Sequence, residues 1–211
     1  MLKDQDLLVN QFFTLWAMLD PIGHLPLFLG ATGELSAQDR RRAAIFGIVI
    51  AFGILTAFAV IGQVLLEAMG ISLKAFQIAG GIILLLLALR MVLGDPAPAV
   101  KAPADAPDTA LSTAIYPLAT PIIAGPGSML AIIVLTDNDR FTFVEQLDTL
   151  SVLALVLALM LVIFLLGDRI AHVIGRGGTN VLRRIMGVIL AALSVNMITN
   201  ALSAWLNLPP I

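Results

Sequence analysis

Asp20-Pro21-Ile22-Gly23-His24-Leu25-Pro26 has an echo one hundred positions later, Thr120-Pro121-Ile122-Ile123-Ala124-Gly125-Pro126-Gly127. Each stretch holds two prolines five positions apart with glycine nearby, set inside apolar sequence. Proline removes a backbone donor and clashes with the preceding turn, so these pairs predict two broken helices. In lipid a broken helix is tolerated where its freed backbone groups line a cavity or bind something. The two stretches are therefore a candidate site before anything else is read.

The surrounding sequence says what they are embedded in. Of the 211 residues, 59% are hydrophobic and 12% charged, with a mean hydropathy of +1.00. A soluble domain carries roughly a quarter charged residues. The apolar runs here are about 20 residues or longer, enough to cross the hydrocarbon core. Six spans are expected, at residues 7–31, 43–69, 73–93, 111–136, 149–174 and 181–206. Residues 32–42 form a polar connection ending in three arginines, and 70–72 a short turn. Residues 94–110 hold four prolines in seventeen positions and read as an extended connector. An acidic loop is expected at 137–148 and a glycine-rich turn at 175–180.

Charge sets the expected orientation. One side carries Lys3, Lys74 and Arg140; the other carries Arg40, Arg41, Arg42, Arg90, Lys101, Arg169, Arg176, Arg183 and Arg184. The positive-inside rule puts the arginine-rich side in the cytoplasm and both termini outside. The start of the chain is acidic, unlike the basic start of a signal peptide. With no cysteine, disulfides, thiol catalysis and cysteine-held metals are excluded. A net charge of −2 gives no reason to expect a nucleic-acid partner. The lipid bilayer is the expected partner, and a homo-oligomer is left open.

The echo reaches beyond the prolines. Gly62 and Gly70 stand eight apart, as do Gly167 and Gly175. Ala79-Gly80-Gly81-Ile82-Ile83-Leu84 opens span three much as Met186-Gly187-Val188-Ile189-Leu190 opens span six. Residues 1–93 and 111–211 thus read as two three-helix repeats joined by the connector 94–110. Three crossings is an odd number, so the second copy enters from the opposite side. The expected fold is all-α, six transmembrane helices as two inverted three-helix repeats, with helices 1 and 4 discontinuous.

Leu19 to Phe28, Ile78-Ala79-Gly80-Gly81-Ile82, Pro117 to Gly127 and Arg184-Ile185-Met186-Gly187 resemble the MarC family of bacterial and archaeal inner-membrane proteins. The resemblance covers essentially the whole chain. It implies six transmembrane helices and transport of small neutral amino acids such as glycine and alanine. The family usually has asparagine where this chain has His24, so the resemblance assigns that side chain no role.

The residues suggest how such a site would work. Pro26 and Pro126 suit the first turn of a helix, where a missing donor costs nothing. Half-helices restarting there would leave the N–H groups of Gly23 to Leu25 and of Gly125 to Ser128 unpaired, each end partly positive. In an inverted repeat the two ends converge, and the carboxylate of an amino acid is a natural ligand for them. The other reading is that the prolines only kink two packed helices. Asp20 is the one acid deep in a span; it is the candidate for a coupling proton or Na⁺, or for the substrate ammonium. Alternatively it caps the half-helix after it, as its counterpart Thr120 could. His24 is either a packing residue or a switch. Asn196 and Asn200, with Ser203, share one face of span six and either line the substrate path or bond neighbouring helices. Gly80, Gly81 and Gly187 are expected at close helix contacts. Asp168-Arg169 reads as a boundary ion pair or part of a gate.

No HExxH helix, Ser/His/Asp set or phosphate-binding loop is present, and two histidines offer little to a metal. No enzyme activity, metal or cofactor is expected beyond a coupling H⁺ or Na⁺. The expected function is secondary transport of glycine, alanine or serine across the inner membrane by alternating access. The alternative is a passive small-solute channel or a non-transporting scaffold.

Overall fold

The computed structural model describes residues 2–93, 109–138 and 141–207. Residues 94–108 of the expected connector, and Arg140 of the acidic loop, lie outside the described residues. The described residues are helical and contain no strand. In order they form α1 (Leu2–Leu19), α2 (Leu25–Ala31), α3 (Ala37–Ala68) and α4 (Leu73–Leu93). Then come α5 (Thr109–Thr113), a wide-turn segment (Ala114–Ile123), α6 (Pro126–Leu135), α7 (Phe143–Leu165) and α8 (Gly167–Leu206).

Both expected breaks are there. Asp20 takes a positive φ of 40° and ends α1, and α2 restarts at Leu25. In the second stretch Thr109–Ile123 and Pro126–Leu135 meet at 62°. Among the described residues, four helices are long and apolar enough to cross a membrane by themselves: α3, α4, α7 and the Arg184–Leu206 part of α8. The bent pair is a fifth where it counts as one broken span rather than a re-entrant loop. The expected sixth, residues 7–31, is divided into the short apolar helix Leu7–Leu19 and the seven residues of α2. Neither piece alone reaches the roughly 20 residues that a crossing takes. The outward faces are what lipid requires: Val60 and Val64 of α3, Leu86 of α4, Val162 of α7 and Val188 of α8 are exposed.

Several boundaries differ from expectation because caps outrank hydropathy. The Ser36 hydroxyl accepts from the Asp39 N–H, so α3 begins at Ala37 and the arginines 40–42 belong to its first turns. Thr142 and Glu145 cap each other's backbone, which starts α7 six positions before the expected Thr149. α7 ends at Leu165 rather than near residue 174. The expected glycine turn at 175–180 is a single break: Gly175 takes φ 68° and ψ 174°, and the helix then resumes. α4 spans the expected residues.

The helices pack where side chains are missing. α4 lies along α8, and a Cβ on Gly81 would come 2.7 Å from Ile198 Cγ1 and 3.2 Å from the Ser194 carbonyl. On the other helix, a Cβ on Gly187 would come 2.9 Å from Met91 Cβ and 3.0 Å from the Ala88 carbonyl. Gly80 faces Leu130 of α6 at 2.9 Å in the same sense. These three are close-packing positions, as expected; without a Cβ the backbones approach and attract each other more strongly through dispersion. Elsewhere α1 packs on α6 and α7, while α3 packs on α6, α7 and the wide-turn segment. The Phe28 and Phe164 rings stack 4.4 Å apart, and Gln11 donates to the Thr149 hydroxyl at 2.7 Å. These interactions tie α2 and α1 to α7, and so hold the first break beside the second.

Candidate functional site

The first break is closed by its own side chains. Asp20 Oδ1 accepts from the Gly23 N–H at 3.0 Å; the His24 N–H donates to the Asp20 carbonyl at 3.0 Å; the Leu25 N–H donates to the Ile22 carbonyl at 3.2 Å. The N–H groups of Gly23, His24 and Leu25 are therefore occupied, and the expectation that they point unpaired into the membrane is corrected. The turn 21–24 folds back on Asp20, whose carboxylate holds the Gly23 N–H inside the turn; α2 itself starts after His24 and has no side-chain cap, so Asp20 does not cap it. Gly23 must be glycine for this turn, because a Cβ there would sit 1.9 Å from Asp20 Oδ2. That second carboxylate oxygen is buried and makes no hydrogen bond among the described residues.

His24 turns the same loop toward the protein interior. Its Nδ1 lies 2.6 Å from the Leu19 carbonyl and 3.0 Å from the Asp20 carbonyl. Carbonyls only accept, so Nδ1 carries the proton and donates, satisfying the C-terminal end of α1. The ring is 6% exposed.

The second break stays open at its helix end. Tyr116 and Thr120 are extended, and each precedes a cis proline, Pro117 and Pro121. Gly125, also extended, leads into α6, whose first residue is Pro126. A Cβ on Gly125 would lie 2.6 Å from the Pro121 carbonyl. The Ser128 hydroxyl donates back to the carbonyls of Ile123 (2.7 Å) and Gly125 (3.0 Å), and the Met129 N–H donates to the Gly125 carbonyl at 2.9 Å. The N–H groups of Gly127 and Ser128 are left in the first turn without helical partners, at the positive end of the α6 dipole.

Between the two breaks lies a cavity of about 40 Å³, lined by Met18, His24, Ile83, Leu84, Leu87, Pro121, Ile122, Gly125, Pro126, Gly127 and Ser128. One water takes roughly 10–15 Å³ on this measure, so the space holds about three waters or a solute of a few heavy atoms. Its polar end is the start of α6 with the His24 ring, and its wall is the apolar face of α4. The arrangement suits a small molecule carrying one anionic group.

Four of the expected site residues, His24, Gly125, Gly127 and Ser128, line this cavity. Asp20, Gly23 and Leu25 are buried in the turn that carries His24 and do not line it. Thr120 is half-buried, with its hydroxyl 3.4 Å from the Ile115 carbonyl, and is not its cap. Asn196 and Asn200 are exposed on α8 and away from the cavity, while Ser203 is buried. Sequence reading missed Met18 and the α4 wall of Ile83, Leu84 and Leu87. Nothing distinguishes those leucines from the others of a uniformly apolar helix. Asp168 pairs with Arg40 of α3, not with its neighbour Arg169, and Arg40 also donates to the Thr32 carbonyl at 3.4 Å. This pair is too exposed to add much stability.

Asp20 can be tested apart from transport. Asp20→Asn retains an oxygen for the Gly23 N–H and tolerates a positive φ, so its melting temperature should stay within a few degrees of the parent. Asp20→Leu loses the hydrogen bond to the Gly23 N–H and places a branched side chain at φ 40°, and should cost about 2–4 kcal/mol. Equal melting temperatures for the two variants would show that the Asp20 carboxylate does not hold the turn.

A family model described as "MarC family integral membrane protein" matches residues 5–206. A UPF0056 membrane protein of Methanocaldococcus jannaschii is 36% identical over 200 residues, covering 94% of this chain and 97% of that protein. One from Aquifex aeolicus is 35% identical over 206 residues, covering 93% and 92%. Another, from Buchnera aphidicola subsp. Baizongia pistaciae, is 29% identical over 205 residues, covering 95% and 94%. No solved structure matches the chain.

Proposed function

The chain belongs to the MarC family of integral membrane proteins, and on that premise we propose that it is a secondary transporter of small neutral amino acids. The observation that carries the proposal is the cavity between the two proline breaks, with one helix start aimed into it. The substrate carboxylate lies against the N–H groups of Gly127 and Ser128, where the dipole of α6 favours negative charge. The cavity is small, about 40 Å³, and its lining by Leu84, Leu87 and Met18 supports a substrate of the size of glycine, alanine or serine.

Alternating access needs two halves that rock about the site. The pairing of helices supports an inverted repeat in which α1–α2 counts as a sixth, broken crossing. α1 packs on α7, as the wide-turn segment packs on α3. α1 also packs on α6, as the wide-turn segment packs on α2, and α4 packs on its own counterpart α8. Each of these packings thus has a partner when the halves are exchanged. In this reading the protein lies in the inner membrane with its termini outside and the arginines 40–42 in the cytoplasm. Transport is coupled to H⁺ or Na⁺.

Counterflow of radiolabelled glycine in proteoliposomes tests the reading. Preloaded vesicles should accumulate label well above protein-free vesicles, and alanine and serine should compete while leucine does not. Exchange at the level of protein-free vesicles for the whole panel would overturn it.

A further inference from the structure

The cavity has two polar features of opposite kind. The start of α6 offers donors, the N–H groups of Gly127 and Ser128. His24 offers an acceptor. Its Nδ1 faces only carbonyls, so the proton stays there and the neutral ring presents the lone pair of Nε2. The side chain is 6% exposed, lines the cavity, and has no hydrogen bond at Nε2 among the described residues. A zwitterion has the complementary pair: a carboxylate that accepts and an ammonium that donates.

We propose that His24 receives the substrate ammonium at Nε2, binding it while the imidazole is neutral and rejecting it once the imidazole is protonated. The inference rests on the amino-acid reading of the cavity and adds a pH gate to it. Protonation turns the acceptor into a donor and sets a positive charge against the ammonium. The Ser128 hydroxyl has given its proton to two carbonyls, and its lone pair is the remaining acceptor, so low pH weakens binding without abolishing it. Losing one hydrogen bond to a charged group corresponds to roughly a tenfold or greater loss of affinity.

Among the described residues, no ionisable group other than that of its own turn is placed against His24. Asp20, on the same turn, is the acid that interacts with it electrostatically. The lining residues from α4, Ile83, Leu84 and Leu87, and those from the wide-turn segment and α6 carry no ionisable group. The acids of α7, Glu145 and Asp148, lie in its first turns, far along the helix from the Phe164 that stacks on α2. On α8, Asp168 is paired with Arg40, next to Gly167 where that helix meets Leu25 and Leu29. Arg169 and the exposed His172 follow on the same helix and do not line the cavity.

The test is glycine counterflow with the same pH on both sides of the membrane, from about pH 8 down to about pH 5, the range in which imidazoles change charge. The parent should lose roughly tenfold or more of its exchange at subsaturating glycine. His24→Asn keeps a donor for the Leu19 carbonyl and an oxygen that can accept without titrating, and its exchange should be flat across that range. A flat parent profile, or an unchanged fall in His24→Asn, overturns the inference. Glycine-induced thermal stabilisation in detergent, read over the same pH range, separates the two proposals. Stabilisation that fades at low pH in the parent alone supports the gate even where exchange is absent and transport fails. Neither stabilisation nor exchange at any pH overturns both.

Discussion

Gly127→Val should bring glycine exchange down by roughly 100-fold, to near the rate of protein-free vesicles, in a protein that still folds. A Cβ at this position would lie 3.0 Å from Leu84 Cδ1 and 3.5 Å from Leu84 Cδ2, both at the free end of a flexible side chain that lines the cavity. The leucine can yield, and since it lines the cavity its displacement reshapes the space proposed for the substrate. Valine therefore costs about 3 kcal/mol of substrate binding, the upper end of what overpacking usually costs, rather than of stability. Gly127→Ala should show an intermediate loss. The comparison with Gly125 is instructive, since a Cβ there would meet the Pro121 carbonyl at 2.6 Å. Backbone cannot swing aside, so Gly125→Val damages the break itself and is a poorer probe of the site. Normal gel filtration and melting with lost exchange is the expected outcome for Gly127→Val. Full exchange by this variant would mean that the cavity is not the substrate site.

Gly187→Val should do the reverse, lowering the melting temperature by roughly 5–10 °C while the folded fraction keeps the parent's apparent affinity for glycine. Here the added Cβ would meet Met91 Cβ at 2.9 Å, Val92 Cγ2 at 2.9 Å and the Ala88 carbonyl at 3.0 Å. Two of those three atoms belong to, or are fixed to, the α4 backbone. Relief requires α4 to move away from α8 as a body, which weakens the dispersion attraction along the whole pair. Gly53 is the control, because a Cβ there meets nothing within 4 Å. Gly53→Ala should be neutral or slightly stabilising, as alanine generally is against glycine inside a helix. Thermal unfolding followed by intrinsic fluorescence distinguishes the three proteins. A Gly187→Val melting temperature equal to the parent's would show that α4 and α8 pack more loosely than their geometry implies.

These contrasts locate the limit of what could be read in advance. Both breaks were legible because paired prolines interrupt a helix locally, whatever the rest of the chain does. The α4 boundaries were legible because Gly70-Ile71-Ser72 reads as a short turn and the Pro-, Ala- and Asp-rich stretch begins after Leu93. Helix ends set by caps were less so: the Ser36 and Thr142 caps lie in polar stretches that hydropathy assigns to loops. The paired N–H groups of Gly23 to Leu25 were misjudged for a related reason. Asp20 reads in the sequence both as a functional acid and as a helix cap, and only the fold of the turn 21–24 shows its carboxylate holding the Gly23 N–H within the turn. Asn196 and Asn200 share a helical face, but a face has no direction until its neighbours are in place.

From the sequence alone follow a membrane-embedded all-α chain, the two proline breaks and the glycines that let helices touch. All are local or solvent-partition properties, carried by residue type and spacing. The tertiary structure alone decided that the two breaks are unequal. At one, Asp20 and the backbone consume the donors and leave an imidazole facing the cavity. At the other, the α6 donors stay open. That asymmetry depends on which groups each turn brings within about 3 Å of one another. The apolar wall of the site depends on which face of α4 meets α6 and α8, and a helix apolar on every side does not encode that choice by itself.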